Sequence, residues 1–409
     1  MLRRQFQTVL MLALGSFAVT SGADELHYNN ILIGDRASGM GGAYVAVSDD
    51  PGGMYYNPAG IAYSTGKSLS ASVNAYSVTN RKYKNVINGN DWNRSSSTLL
   101  PNFFGVIQPI GKLKVGFSYA VPDSIQENQD QKYAIASLDS THTINFNNKD
   151  DTNLFGPSAA LQINDSLSVG ATLYVHKRST EAILNNSNLS NSTTGFVWSN
   201  GYQESDEWGL KPIVGVMWAP ADKFSLGLTV AKTFILSSEV LQQSTYSDDA
   251  NVKPLTTFTR YSDKREYPYQ VTAGVAYFPD SSLLLSGDVS YYSSYDYTFV
   301  NSQKKREAVV NGAVGAEYFI DKSWAVRGGL FTDFANTPKI VNDTTDQAEH
   351  IDLYGGSFTV SHFTKSTSIS CGGSYKFGSG KSKVDGGAQG VKDVTADSWT
   401  LFVSSSYSY

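Results

Sequence analysis

The stretch "LKVGFSYAV", Leu113–Val121, places Leu113, Val115, Phe117, Tyr119 and Val121 on one parity and Lys114, Gly116 and Ser118 on the other. Side chains of an extended chain point alternately to two faces, so this run has one apolar face and one small, polar, charged face. The pattern recurs along the chain. Leu283, Leu285, Val289, Tyr291, Tyr295, Tyr297 and Phe299 share a face opposite Asp288 and Asp296. Trp324, Val326, Leu330 and Phe334 oppose Arg327 and Asp333, and Thr367, Ile369, Cys371, Tyr375 and Phe377 oppose serines, Gly372 and Lys376. A soluble β-sandwich also alternates. Long strands, charged polar faces, and short turns alternating with long polar segments point instead to an antiparallel membrane barrel.

The short turns share one motif: "VIQPIGKLKVGFSYAV", "ALQINDSLSVGATLYV", "GVMWAPADKFSLGLTV", "GVAYFPDSSLLLSGDV" and "GAEYFIDKSWAVRGGL". Each ends one alternating strand, turns over a few Asp, Pro, Gly, Lys or Ser residues, and starts the next. Longer stretches such as "LNNSNLSNSTTGFVWSNGYQESD" read as polar loops, and the Asn-x-Ser/Thr matches at Asn185, Asn188 and Asn191 as part of a polar surface loop. The strands are expected near 67–78, 98–109, 112–121, 153–163, 167–178, 206–218, 224–236, 265–278, 282–299, 306–320, 323–334, 350–363, 366–378 and 397–409. That makes about fourteen, an even number as single-chain bacterial barrels require. Lys232 shares parity with Phe224, Leu226, Leu228 and Val230, and belongs at the outer rim or beyond a bulge. "DSWTLFVSSSYSY" aligns Trp399, Leu401, Val403, Tyr407 and Tyr409 on one face. It resembles the terminal strand that the barrel-assembly machinery reads, and pairing it with the first strand leaves no open edge.

The start of the chain reads as a secretory signal peptide over residues 1–23. Arg3 and Arg4 precede an apolar run from Val9 to Val19 and a small-residue site, Ser21-Gly22-Ala23. The run is shorter than the ~20 residues of a membrane-spanning helix. The whole chain of 409 residues is 17% charged with a net charge of -5, and no basic block suggests nucleic acid. A single cysteine, Cys371, permits neither an internal disulfide nor a cysteine metal site.

Little in the chain suggests chemistry. In "GDRASGMGG" Gly34 and Gly39 have P-loop spacing, but Met40 stands where the lysine belongs. Gly39 and Gly41 begin a dinucleotide fingerprint, but Tyr44 occupies its third glycine position. His27, His142, His176, His350 and His362 show no metal-ligand spacing, and no nucleophile elbow occurs. No cofactor and no enzymatic activity are expected.

"GDRASGMGGAYVAVSDDPGGMYYNPAGIAY", Gly34–Tyr63, resembles the N-terminal region of the FadL/TodX family of outer-membrane hydrophobic-compound transporters. The matching residues are the run from Gly39 through Met40, Gly41 and Gly42 to Tyr44, the pair Asp49-Asp50, and Asn57-Pro58-Ala59-Gly60. A wider group with this signature includes PorV-type barrels of a protein secretion system. The resemblance implies a bacterial outer-membrane barrel of fourteen strands with an N-terminal plug, residues 24–66 here, inside a barrel of residues 67–409. It implies passive uptake of hydrophobic molecules such as long-chain fatty acids or aromatic hydrocarbons, with a sideways exit beside the plug. A PorV-like scaffold for exported proteins is the alternative. The partners implied are outer-membrane lipid, lipopolysaccharide, a hydrophobic ligand and the assembly machinery, for a monomer. Asn57-Pro58-Ala59 is either a gate or only a fold element of the plug. By parity, Lys211 and Arg327 are candidates to meet a ligand carboxylate, or else belong to an internal charge network with Asp288 or Glu317.

Overall fold

Valine, isoleucine and aromatic residues at every second position suit a pleated surface whose other face is small and polar. Segments of this kind zip into one closed sheet. The computed structural model describes residues 25–64, 66–87, 89–135, 139–341, 349–383 and 390–408. The expected signal peptide and Tyr409 therefore lie outside the described residues. The strands are β1 (Ser68–Ile87), β2 (Asn90–Ile110), β3 (Leu113–Ile135), β4 (Ser140–Asn164), β5 (Leu167–Ser190) and β6 (Phe196–Ala221). They continue with β7 (Phe224–Ala231), β8 (Phe234–Asp248), β9 (Leu255–Tyr261), β10 (Gln270–Tyr277), β11 (Leu283–Tyr292) and β12 (Tyr295–Phe299). The last are β13 (Ser302–Arg306), β14 (Val309–Phe319), β15 (Trp324–Asp333), β16 (Glu349–Phe363), β17 (Thr367–Ser382) and β18 (Lys392–Ser408).

Fourteen of these form an antiparallel ring: β1 to β7, β10, β11 and β14 to β18. β18 closes it on β1, from Ser68 opposite Ser408 to Tyr83 opposite Val394. Above β7 the wall continues as β8, which pairs with the upper part of β6 and carries β9 on its far edge. β12 and β13 form a separate hairpin. Among the described residues no helix is long and apolar enough to cross a membrane.

The two faces sort as the alternation requires. Val214, Val216 and Trp218 on β6 and Leu226, Leu228 and Val230 on β7 point outward and are exposed. Ser168, Thr172, Ser225 and Thr229 point inward and are buried. Lys232 falls in the break between β7 and β8, where the alternation is interrupted, and it lines the inner cavity and not the outer rim.

Several boundaries differ from the sequence expectation. β4, β5 and β6 run 25, 24 and 26 residues, whereas β10, β11 and β15 run 8, 10 and 10. A membrane needs only ~10 residues of tilted strand, so the wall stands tall on one side. The stretch expected as a polar loop around 184–206 is largely ladder. Asn185 and Asn188 belong to β5, with Asn188 inward and buried, and Asn191 follows the strand. Asparagine and serine extend the sheet here because the interior above the membrane is polar. The Asn200 side-chain amide donates across the ladder to Asn185 Oδ1 at 2.5 Å. The expected strand 282–299 breaks at Ser293–Ser294, and its faces swap there. Val289 and Tyr291 face outward, while Tyr295 and Tyr297 line the interior.

Candidate functional site

Residues 25–64 pass down the inside of the ring, and the wall is shaped to receive them. Three cross-strand glycine pairs mark the seats: Gly170 with Gly215, Gly227 with Gly274, and Gly315 with Gly329. A Cβ on Gly215 would lie 2.0 Å from Asn57 Oδ1, one on Gly227 2.3 Å from the Val45 carbonyl oxygen, and one on Gly329 2.2 Å from the Met40 carbonyl carbon. Only glycine allows this approach. Within the segment, Ile33, Met40, Tyr44, Met54 and Ile61 are fully buried.

Hydrogen bonds fix the same seats. Asn57 donates from Nδ2 to the carbonyls of Val45 (2.8 Å) and Val216 (3.1 Å), and its Oδ1 accepts from the Ala59 N–H at 3.1 Å. It thus caps the short 3-10 turn Pro58–Tyr63 while tying the segment to β6. Ser168 donates to the Ala59 carbonyl at 2.9 Å, and Ser357 to the Gly39 carbonyl at 3.1 Å. Gly41 and Gly42 adopt φ of 66° and 83°, open to glycine without strain, and face the cavity described below. Asp288 of β11 accepts the N–H groups of Tyr44 (2.7 Å) and Val45 (2.8 Å).

Arg36 reaches from the segment to Glu317 of β14 (Nη2–Oε2 2.6 Å) and to Asp49 (2.5 Å). Arg327 of β15 meets the same Glu317 at 2.7 Å and donates to Ser361. One buried carboxylate therefore serves two guanidiniums, one from the segment and one from the wall. Burial, followed by the neighbouring Asp35 and Asp49 carboxylates, pushes the Asp50 carboxyl up to about 7.

The wall itself has an unpaired seam. β2 and β3 are in register from Ile110–Leu113 to Phe103–Ala120, and again at Ser96–Glu127. Between them, 97–102 and 121–126 make no ladder pair with each other. Continued through this stretch, the register would set Pro101 directly opposite Pro122. Proline has no N–H to give a ladder, so two prolines facing each other remove two of its donors. The seam is roughly 20 Å long at the rise of a strand. The inner segment touches both of its lips: Ile31 N–H donates to the Pro122 carbonyl at 3.1 Å, and Asn102 Nδ2 donates to the Leu32 carbonyl at 3.0 Å.

A cavity of about 200 Å³ lies between the inner segment and the wall. Its lining runs from Pro122 and Leu154 near the seam, past Tyr55, Tyr56 and Tyr292, to Lys232 and Tyr267 across the ring. Lys211 lines it from β6, with Nζ 5.4 Å from the centre of the Tyr55 ring and no ion pair among the described residues. Arg327 is not part of the lining; Glu317 and Ser361 hold it elsewhere on the inner wall. Of the two cations picked by parity, only Lys211 faces the cavity.

Above Lys211, a charge cluster gathers Glu25, Arg178, Arg265 and Arg306. Burial alone would raise the Glu25 carboxyl. The guanidiniums of Arg265, Arg178 and Arg306 instead hold it well below the usual carboxylate range. The sequence reading passed over this cluster and the seam. Arg178 shares the inward parity of Ser168 and Thr172, and both prolines are visible inside alternating runs, so signals for each were present.

Comparison with known proteins agrees with this architecture. The profile of the family described as outer membrane protein transport protein (OMPP1/FadL/TodX) matches residues 28–252, more than half of the chain. No curated protein matches. A Pseudomonas aeruginosa FadL homologue superposes with a TM-score of 0.68 at 15% identity, covering 93% of this chain and 99% of its own. The P. putida toluene transporter TodX gives 0.68 at 13% identity, with coverage of 93% and 99%. The CymD monoaromatic hydrocarbon channel gives 0.61 at 15% identity, again covering 93% and 99%. At these identities the structural likeness speaks for the fold.

Proposed function

The chain belongs to the OMPP1/FadL/TodX family of outer-membrane transport proteins, and from that premise we propose that it carries an amphiphilic hydrocarbon, a long-chain carboxylate, into the membrane. The ligand reaches the cavity from the tall side of the barrel, lays its chain along the tyrosine-rich lining, and sets its carboxylate against Lys211. It leaves sideways through the β2–β3 seam. Residues 24–66 act as the plug that blocks the direct path to the short-turn end, with Asn57-Pro58-Ala59 seating the plug against β5 and β6.

The observation that carries this reading is the ammonium of Lys211, unpaired among the described residues, inside a tyrosine-lined cavity that reaches the seam. Buried charges are ordinarily matched, and an ammonium lacking a protein counter-charge suits a ligand that brings one. TodX and CymD are named for toluene and monoaromatic hydrocarbons. A neutral hydrocarbon would use the same lining without Lys211, which makes that lysine the discriminating residue.

The test is uptake into liposomes carrying the folded barrel, comparing palmitate with toluene. Wild-type barrel should speed palmitate entry over protein-free liposomes, and Lys211→Met should slow it about tenfold while leaving toluene flux unaltered. Equal palmitate uptake with and without folded barrel overturns the proposal. Unchanged palmitate uptake by Lys211→Met removes the carboxylate assignment.

A further inference from the structure

Four donors converge on the carboxylate of Glu25. Its Oε1 accepts from Arg265 Nε at 2.7 Å and lies 3.2 Å from Arg178 Nη2. Its Oε2 accepts from Arg306 Nη2 at 3.2 Å and from the Tyr297 hydroxyl at 3.1 Å. Arg178 comes from β5, Arg265 from the stretch before β10, Tyr297 from β12 and Arg306 from the end of β13. Three guanidiniums and a phenol thus surround one carboxylate, the Arg265 contact having the short distance of a charge-assisted bond.

The cradle is not balanced without its occupant. Arg178 has Asp150 as a two-pronged partner at 3.0 and 2.8 Å, and Arg265 has Glu207 at 3.6 Å. Arg306 has no carboxylate other than Glu25 among the described residues, and its Nε is buried without an acceptor. Removing Glu25 would leave three guanidiniums against two carboxylates. Glu25, Arg178, Arg265 and Tyr297 line the cavity, so two of the three guanidiniums face it, while Arg306 reaches Glu25 from outside the lining. The occupant belongs to the inner segment, not to the wall that supplies the donors.

We propose that the Arg178–Arg265–Arg306 cradle binds the carboxylate of an incoming amphiphile, and that Glu25 is its built-in competitor. This rests on the anionic-ligand reading above and adds a station to it. The headgroup exchanges for Glu25 in the cradle before moving down to Lys211. Ile31 and Leu32 hold the lips of the seam. The chain between them and Glu25 stays pinned by Asp333, which accepts the Tyr28 and Asn29 N–H groups, so the exchange acts on the headgroup and not on the exit. No bond is made or broken; one carboxylate replaces another.

The test uses the full-length barrel in lipid nanodiscs, with dodecanoate and 1-dodecanol as matched probes. Glu25→Gln should tighten dodecanoate binding roughly tenfold, since a site occupied by its own competitor for nine-tenths of the time loses that factor in apparent affinity. Dodecanol binding should not change. Equal tightening of both probes would mean only that the cavity had widened, and unchanged or weaker dodecanoate binding would mean that Glu25 is purely structural. Either result overturns the proposal. Adding Arg306→Gln to Glu25→Gln should reverse the gain, and a gain that survives also overturns it. Lys211→Met keeps the two readings apart. If it leaves dodecanoate affinity untouched while Glu25→Gln still tightens it, the Lys211 assignment falls and the cradle stands.

Discussion

Lys211 and Arg327 carry the same charge and the same inward parity, yet the fold gives them different work. Arg327 and Arg36 share the buried carboxylate of Glu317, so their charge is spent on joining the inner segment to β14 and β15. Glu317→Gln would strand the Arg327 guanidinium and leave Arg36 with Asp49 alone, at a cost of about 3–5 kcal/mol. Urea unfolding of the refolded barrel should register that loss, and a change below about 1 kcal/mol would contradict the assigned role. Asp50 offers a pH readout. Its carboxyl is raised to about 7 in the fold by burial and by its acidic neighbours, from an ordinary value of 3.8. A raised carboxyl favours the folded state while protonated, and the benefit disappears as pH rises through 7. Thermal stability should therefore fall between pH 5 and pH 8.5, and Asp50→Asn should flatten that slope. A slope unchanged by the substitution would place its origin elsewhere. What the sequence could show at this scale was parity. It could not show which inward charges meet, because the partners lie as far apart as Arg36 and Glu317.

At the scale of elements, alternation located all fourteen ring strands, since each needs an apolar face toward lipid. It failed where lipid no longer imposes that demand. Above the membrane, Asn186 and Asn188 extend β5 with both faces polar, and such a stretch looks like a loop by composition. After Ser293–Ser294 the faces of Tyr295 and Tyr297 reverse, which no periodicity within either run announces. The hairpin repeat held more than its turns. Gly116, Gly170 and Gly227 are each the fourth residue of their strand, and all three abut the inner segment. Gly329→Ala should thus push the segment from its seat and raise single-channel conductance in planar bilayers, whereas Gly287→Ala, with its nearest neighbour 3.8 Å away, should not. Equal, low conductance for both would argue against close seating. The prolines make a second element-scale prediction. Pro101→Val with Pro122→Val returns two N–H donors to the seam and should lower palmitate flux severalfold while the cavity still binds ligand. Undiminished flux would show that the seam is not the route.

As a whole molecule, the barrel is a tall polar funnel above a short membrane ring, with a chain of residues 25–64 packed down its axis. Closure of β18 on β1 followed from an aromatic-ended last strand, and the site's surroundings followed from an N-terminal stretch rich in glycine and proline. The Glu25 cradle depends on contacts between elements that sequence order does not bring together. The seam lies within the β2–β3 hairpin and shows in the sequence only as two prolines that its register sets face to face. Deleting residues 24–66 should leave a folded barrel that conducts ions freely; a closed, non-conducting barrel would refute the plug. Whether ligand leaves through the wall or along the axis is decided by photo-crosslinking. A diazirine-bearing palmitate, added from the tall side of the barrel in liposomes and trapped by light during uptake, should label Leu99, Leu100 and Val121 beside the seam. Labelling confined to Ser64 and Lys114 at the short-turn end, with the seam residues unlabelled, would put the exit on the axis and not in the wall.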